Sequence, residues 1–147
     1  MNFNTFEDVL DFAILQEKAA QQFYSEMADK VLDDNVRLFY KTLVQEEHLH
    51  ELKLRELKRF GYELIEPDVE TLRESGYLDA MPVLPEITFA EAVRYAIKKE
   101  RSARMLYHTL GQMCKRNELK RLFEELAEQE GEHAEHFQTE YKELLSK

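Results

Sequence analysis

Apolar residues recur at steps of three and four in four separate stretches, the spacing that gathers them on one side of an α-helix. In the first stretch Phe6, Val9, Leu10, Ala13, Ile14, Ala20, Phe23 and Met27 share a side, Thr5 stands where an N-cap belongs, and the end falls between Lys30 and Asp33. The second starts at Asp34 as N-cap and runs through Val36, Phe39, Tyr40, Leu43, Leu54 and Leu57, with Gly61 as a left-handed terminator. Thr88 and Glu91 read as a capping box that opens the third, through Ala92, Val93, Ala96, Ile97, Ala103, Leu106 and Leu110. Asn117 caps the fourth, whose apolar side holds Leu119, Leu122, Phe123, Leu126, Phe137, Tyr141 and Leu144. The two short connections predict two antiparallel helical hairpins. Between them, residues 62–87 hold all three prolines and Gly76, and predict a long crossover with a short helix over 68–75. The expected fold is an all-α four-helix bundle.

Sliding the chain against itself by 83 residues superimposes the two hairpins without a gap. Nine pairs are then identical: Phe6/Phe89, Ala13/Ala96, Ile14/Ile97, Glu17/Glu100, Ala20/Ala103, Tyr24/Tyr107, Leu43/Leu126, Glu47/Glu130 and His50/His133. Every pair lies on or beside the apolar stripe and four are polar, so duplication of one hairpin is the economical reading.

The polar pairs carry the candidate chemistry. Glu17 interrupts the stripe between Ile14 and Ala20, and Glu100 does so between Ile97 and Ala103. Glu47 and His50 interrupt the second stripe between Leu43 and Leu54, as Glu130 and His133 interrupt the fourth between Leu126 and Phe137. An unpaired buried carboxylate costs several kcal/mol, and no Lys or Arg shares these stripe positions. Two divalent cations would balance four carboxylates. A Glu-x-x-His step turns only about 60° around a helix, so both side chains can serve one metal pair. Oxygen-rich ligation with one imidazole per metal suits iron or manganese, while zinc favours sites richer in His or Cys. Tyr24 and Tyr107, if buried, need partners for their hydroxyls, and a ligand carboxylate is the nearest candidate. His48, His108 and His136 lie off the stripe and read as solvated; Glu46, Glu128, Glu132 and Glu135 belong to charged outer faces.

Composition narrows the classes. The chain has 147 residues with 30 acidic and 20 basic side chains, a formal net charge of −10. An acidic chain without a basic block is a poor ligand for nucleic acid or anionic lipid. Its single Cys114 rules out an internal disulfide framework and a thiolate metal cage, and reads as a small buried residue. No apolar run approaches the ~20 residues of a membrane span, and MNFNTFEDVL lacks a basic segment followed by an apolar one. The expectation is one cytoplasmic domain over residues 1–147.

At this point the sequence resembles the rubrerythrin-type di-iron domain of the ferritin-like superfamily. The resemblance rests on Glu17-x6-Tyr24, Glu47-x-x-His50, Glu100-x6-Tyr107 and Glu130-x-x-His133, and covers nearly the whole chain. It implies a ferritin-like bundle binding two Fe ions per chain, with Mn or Zn as alternatives. It also implies reduction of hydrogen peroxide or dioxygen, and a homodimer. Rubrerythrins also carry a rubredoxin module with two Cys-x-x-Cys pairs, which one Cys cannot supply; electrons are then expected from a separate donor such as a rubredoxin-like protein. Rubrerythrins tend to have a further glutamate three residues after the first ligand of the third helix, where this chain has Ala103, mirrored by Ala20. That leaves a more symmetric six-ligand site. On this reading Glu17, Glu47, Glu100 and Glu130 are ligands and bridges, His50 and His133 terminal ligands, and Tyr24 and Tyr107 orient carboxylates. Two alternatives stand beside it: a ferroxidase that oxidises and hands on iron, and a bundle whose metals only hold the core together.

Overall fold

The structure, a computed structural model, describes residues 5–60, 70, 72 and 87–146. Four long helices account for nearly all of them: α1 (Phe6–Lys30), α2 (Asp34–Phe60), α3 (Phe89–Met113) and α4 (Asn117–Leu145). Helices α1 and α3 are both 25 residues long and begin and end at the same 83-residue offset, as do the starts of α2 and α4. The duplication read from nine identities therefore extends to helix boundaries and to the three-residue turns at 31–33 and 114–116. The chain divides into two compact units, each built on one hairpin. Of the expected short helix over 68–75 only Glu70 and Leu72 are described, both helical; the expected terminator Gly61, Gly76 and the path of the crossover lie outside the described residues.

Local chemistry sets the helix starts. Thr5 Oγ1 accepts from the Asp8 N–H at 3.2 Å while Asp8 Oδ2 accepts from the Thr5 N–H at 3.1 Å, a complete capping box. Helix α2 is capped by Asp33 and not by Asp34: Asp33 Oδ1 accepts from the N–H groups of Asn35 and Val36 at 2.8 and 3.2 Å. Asp34 instead occupies the first helical turn, where its charge suits the helix dipole. Thr88 accepts from the Glu91 N–H at 3.1 Å as expected, but its hydroxyl, not its backbone N–H, donates to the Glu91 carboxylate. Asn117 is the first residue of α4 and not its cap; Arg116 holds that position and makes no side-chain capping bond to the helix, and acidic Glu118 in the first turn suits the helix dipole. Arg37 fastens the first turn by donating to the carbonyls of Ala28 and Val31, the orphaned end of α1. Thr5→Ala removes the hydroxyl that accepts from the Asp8 N–H, while the backbone N–H that donates to Asp8 stays, and is expected to cost about 1 kcal/mol, read as a lower denaturant midpoint at unchanged slope.

Within the first hairpin Val9, Leu10, Tyr24, Tyr40, Leu43 and Leu54 are fully buried; within the second Val93, Ala96, Leu110, Phe123, Leu126 and Phe137 are. The same stripe frays towards the helix ends, where Phe6, Val36, Phe39, Leu122, Tyr141 and Leu144 are half-buried. No helix among the described residues is long and apolar enough to cross a membrane.

Candidate metal centre

Each hairpin sinks two carboxylates and one imidazole into its interior. In the first hairpin α1 contributes Glu17 and α2 contributes Glu47 and His50, with exposures of 2%, 1% and 1%. His50 Nδ1 lies 3.5 Å from Glu17 Oε1 and 3.9 Å from Glu47 Oε2. In the second, α3 contributes Glu100 and α4 contributes Glu130 and His133, all buried; His133 Nδ1 lies 3.5 Å from Glu100 Oε2 and 3.8 Å from Glu130 Oε1. In either triad one donor atom per residue can be chosen so that all three sit within 4.8 Å of one another. The two sets repeat each other to a tenth of an ångström, as duplicated hairpins with matched helix registers should.

Such a triad carries an electrostatic excess. Two carboxylates face one imidazole, so even a protonated ring leaves one negative charge over in each hairpin, in surroundings where charge is poorly screened. All six side chains make interactions. Still, Glu17 Oε2, Glu47 Oε1, His50 Nδ1, Glu100 Oε2, Glu130 Oε1 and His133 Nδ1 are buried and take part in no hydrogen bond. Carboxylate oxygen and imidazole nitrogen gathered at that spacing are the donors that hard and borderline divalent cations take, so the residues suit iron or manganese ligation.

The two tyrosines are fully buried. Tyr24 stacks on Tyr40 with ring centroids 6.3 Å apart, and Tyr107 stacks on Phe123 at 6.4 Å, again at equivalent positions of the repeat. His48, His108 and His136 are exposed, as are Glu128, Glu132 and Glu135, while Glu46 is half-buried. Cys114 is buried at the end of α3, and burial pushes its thiol up, away from the reactive thiolate. Ala20 is buried and Ala103 half-buried.

Two charged residues that the stripe analysis passed over are also inside. Glu51, next to His50, is 8% exposed. Gln21 of α1 donates to Glu51 Oε1 at 2.8 Å and to the Glu17 carbonyl at 3.2 Å, and Arg55 donates to Glu51 Oε2 at 2.7 Å. Burial pulls the Glu51 carboxyl upward, but the Gln21 and Arg55 hydrogen bonds and the Arg55 charge outweigh it and hold it below 4.5. Its only sequence signal is the Glu51/Arg55 pair one helical turn apart, which normally marks a solvated face. Lys99, adjacent to Glu100, is likewise 8% exposed, its ammonium 5.9 Å from the Tyr95 ring centroid. Its long apolar stem is what lets a lysine lie there. Glu51→Ala is expected to cost about 2 kcal/mol by deleting charge-assisted hydrogen bonds. Because folding depresses this carboxyl, its contribution is complete above the unfolded value near 4.5 and is lost as pH falls below it. Wild type and variant should therefore converge in stability on acidification, as urea unfolding at neutral and acidic pH would register.

Comparison with known proteins agrees with this architecture. Residues 91–147, the second hairpin, match the Rubrerythrin family model. A hypothetical protein from Pyrococcus furiosus shares the fold with a TM-score of 0.76 at 28% identity, covering 95% of this chain and 90% of that one. A protein from Thermotoga maritima described as a ferritin-like diiron-carboxylate protein does so with a TM-score of 0.73 at 21% identity, covering 97% and 98%. No curated protein matches the chain. The chain thus shares the fold of these two proteins, and its second hairpin is similar to the Rubrerythrin family.

Proposed function

We propose that the chain is a di-iron carboxylate oxidoreductase that reduces hydrogen peroxide or dioxygen with electrons from a separate donor protein. The observation that carries this reading is the pair of matching buried triads, Glu17–Glu47–His50 and Glu100–Glu130–His133, each with more carboxylate than its imidazole can neutralise. Description of the Thermotoga protein as diiron-carboxylate and the Rubrerythrin match of the second hairpin support iron as the metal. Glu17, Glu47, Glu100 and Glu130 would ligate and bridge through oxygen, and His50 and His133 would complete the set through nitrogen. When bound, two irons supply the two electrons needed to break an O–O bond and the positive charge that stabilises the developing oxide.

The protein's own part is to hold six donors with little freedom and to keep bulk water away. Long rigid helices on both sides of each triad restrict the carboxylates to a few rotamers. Gln21, which donates to the Glu17 carbonyl of its own helix, also donates to Glu51 of α2, one residue from His50, and so ties α1 to α2. Tyr24 and Tyr107, seven residues beyond Glu17 and Glu100, orient the ligand carboxylates from the buried side.

Anaerobic ferrous titration followed by stopped-flow mixing tests the reading. Saturation at two irons per chain is expected, then oxidation much faster with peroxide than with dioxygen. Many irons oxidised per chain would instead indicate a ferroxidase. Two irons that remain inert to both oxidants would leave only the structural role.

A further inference from the structure

The two triads match, but the residues that brace the first are not repeated beside the second. The Gln21 amide nitrogen donates twice, to the Glu17 carbonyl at 3.2 Å and to Glu51 Oε1 at 2.8 Å. Glu51 is held at its other oxygen as well: Arg55 Nε donates to Oε2 at 2.7 Å, while His48 Nδ1 lies 3.8 Å from Oε1. This carboxylate is buried, and shielding from water strengthens each of its hydrogen bonds. The chain of bonds runs from the backbone that carries one triad member, Glu17, to the residue next to another, His50. It therefore sets the separation of α1 and α2 at the height of the triad.

The sister hairpin cannot build this brace. Arg104, Ala134 and Gln138 stand where the first hairpin has Gln21, Glu51 and Arg55, and the Ala134 methyl offers no oxygen to accept a bond from α3. Arg104 meets α4 through its stem: a Cβ added at Gly131 would lie 3.2 Å from Arg104 Cδ. That contact is one of packing, without the direction a hydrogen bond imposes. Charge and burial differ in the same sense. Arg104 and the buried Lys99 add two positive charges near Glu100 in sequence, where the first hairpin has neutral Gln21 and Gln16, and like charge opposes a cation. The His133 side chain is 8% exposed against 1% for His50, so water comes closer to the second triad and competes for whatever it holds.

A cation gathers its donors at fixed distances, and donors already held there lose less freedom when it arrives. We propose that Gln21 and Glu51 are positioning residues of the first triad: by locking Glu17 against His50 they make that triad take a divalent cation ahead of the second. Both oxygens of Glu51 are engaged, by Gln21 and Arg55, so it acts through the helices and not as a ligand. The second triad, unbraced at these positions and closer to water, fills later and empties sooner. This rests on the metal-binding part of the reading above and adds an order of loading to it.

Anaerobic calorimetric titration of the iron-free chain with ferrous ion, against a competing chelator, reads the order of loading without any turnover. Two events are expected, at least ~tenfold apart in affinity. His50→Ala should delete the tighter event and His133→Ala the weaker. Gln21→Ala trims a half-buried side chain and keeps the Glu51–Arg55 pair. It should weaken the tighter event by ~tenfold and leave the weaker one in place. Building the brace into the second hairpin, with Arg104→Gln, Ala134→Glu and Gln138→Arg together, should tighten the weaker event by a similar factor. A brace that only holds the fold would lower the melting temperature of the iron-free Gln21→Ala variant and shift neither event relative to the other. That result overturns the proposal, as do two events of equal affinity or a tighter event lost through His133→Ala. Ordered loading followed by irons inert to peroxide and dioxygen would sink the oxidoreductase reading and spare the brace, whereas no ferrous uptake at all would sink both.

Discussion

Ferrous loading of the iron-free protein is expected to raise its melting temperature by about 15–30 °C, the largest stability change that any single manipulation should produce. Each triad buries two carboxylates and an imidazole within 4.8 Å, an arrangement that costs free energy until a cation occupies it. A ligand that binds only the folded state stabilises by about 4 kcal/mol when present at a thousand times its dissociation constant. Two ions give roughly 8 kcal/mol, and a domain of this length shifts by about 2–4 °C per kcal/mol. Anaerobic scanning calorimetry with and without a chelator measures it. The gain should fall on acidification, since protons compete with metal for the same oxygen and nitrogen atoms. A melting temperature indifferent to ferrous iron and chelator would remove the metal from the structure altogether.

Most of what matters here is visible in the residues because the chain states it twice. A single Glu-x-x-His on a charged helix carries little information; the recurrence of Glu17, Tyr24, Glu47 and His50 at one offset is what separated ligand candidates from ordinary surface charge. The same periodicity placed all four helices, because each stripe is long and uninterrupted by proline. Caps were less legible. Asp33 and Asp34 have the same side chain, and which one folds back depends on the path of the turn that Arg37 ties down, a tertiary matter. Glu51 and Lys99 were hidden for another reason. Both sit at the border of the stripe, where a hydrogen bond from Gln21 across the hairpin or an aliphatic stem over apolar neighbours decides burial, and neither leaves a periodic trace.

The symmetry of the triads and the asymmetry around them follow from one history. After a hairpin duplicates, the three donors of each copy stay alike where a cation would need all three. The positions beside them are free to part: Gln21, Glu51 and Arg55 became Arg104, Ala134 and Gln138, and His48 became Gly131. At Gly131 an added Cβ would meet Arg104 Cδ at 3.2 Å, so that guanidinium stem lies over the helix surface where the first hairpin carries the exposed imidazole of His48. The first copy thus clamps its triad through a buried carboxylate, and the second covers the corresponding stretch with an arginine. Outward-facing positions have parted furthest, with leucine against glutamate.

Replacing one ligand carboxylate by its amide should move stability in opposite directions with and without metal. In the iron-free protein, Glu47→Gln or Glu130→Gln removes one of two crowded buried carboxylates and leaves a side chain of the same shape that can both donate and accept. The variant should be more stable than wild type by about 1–3 kcal/mol, since the desolvation cost of the charge disappears with it. In the presence of ferrous iron the order should reverse. A neutral amide is a poor ligand for a hard cation, so stoichiometry should fall below two per chain and most of the ferrous-induced rise in melting temperature should vanish. His50→Ala gives the contrast: it removes a ligand and leaves a cavity, so it should lower stability both with and without iron. If the amide variants instead destabilise the iron-free protein, the buried carboxylates are earning their place through ordinary hydrogen bonds, and the case for a cation at the triads loses its electrostatic foundation.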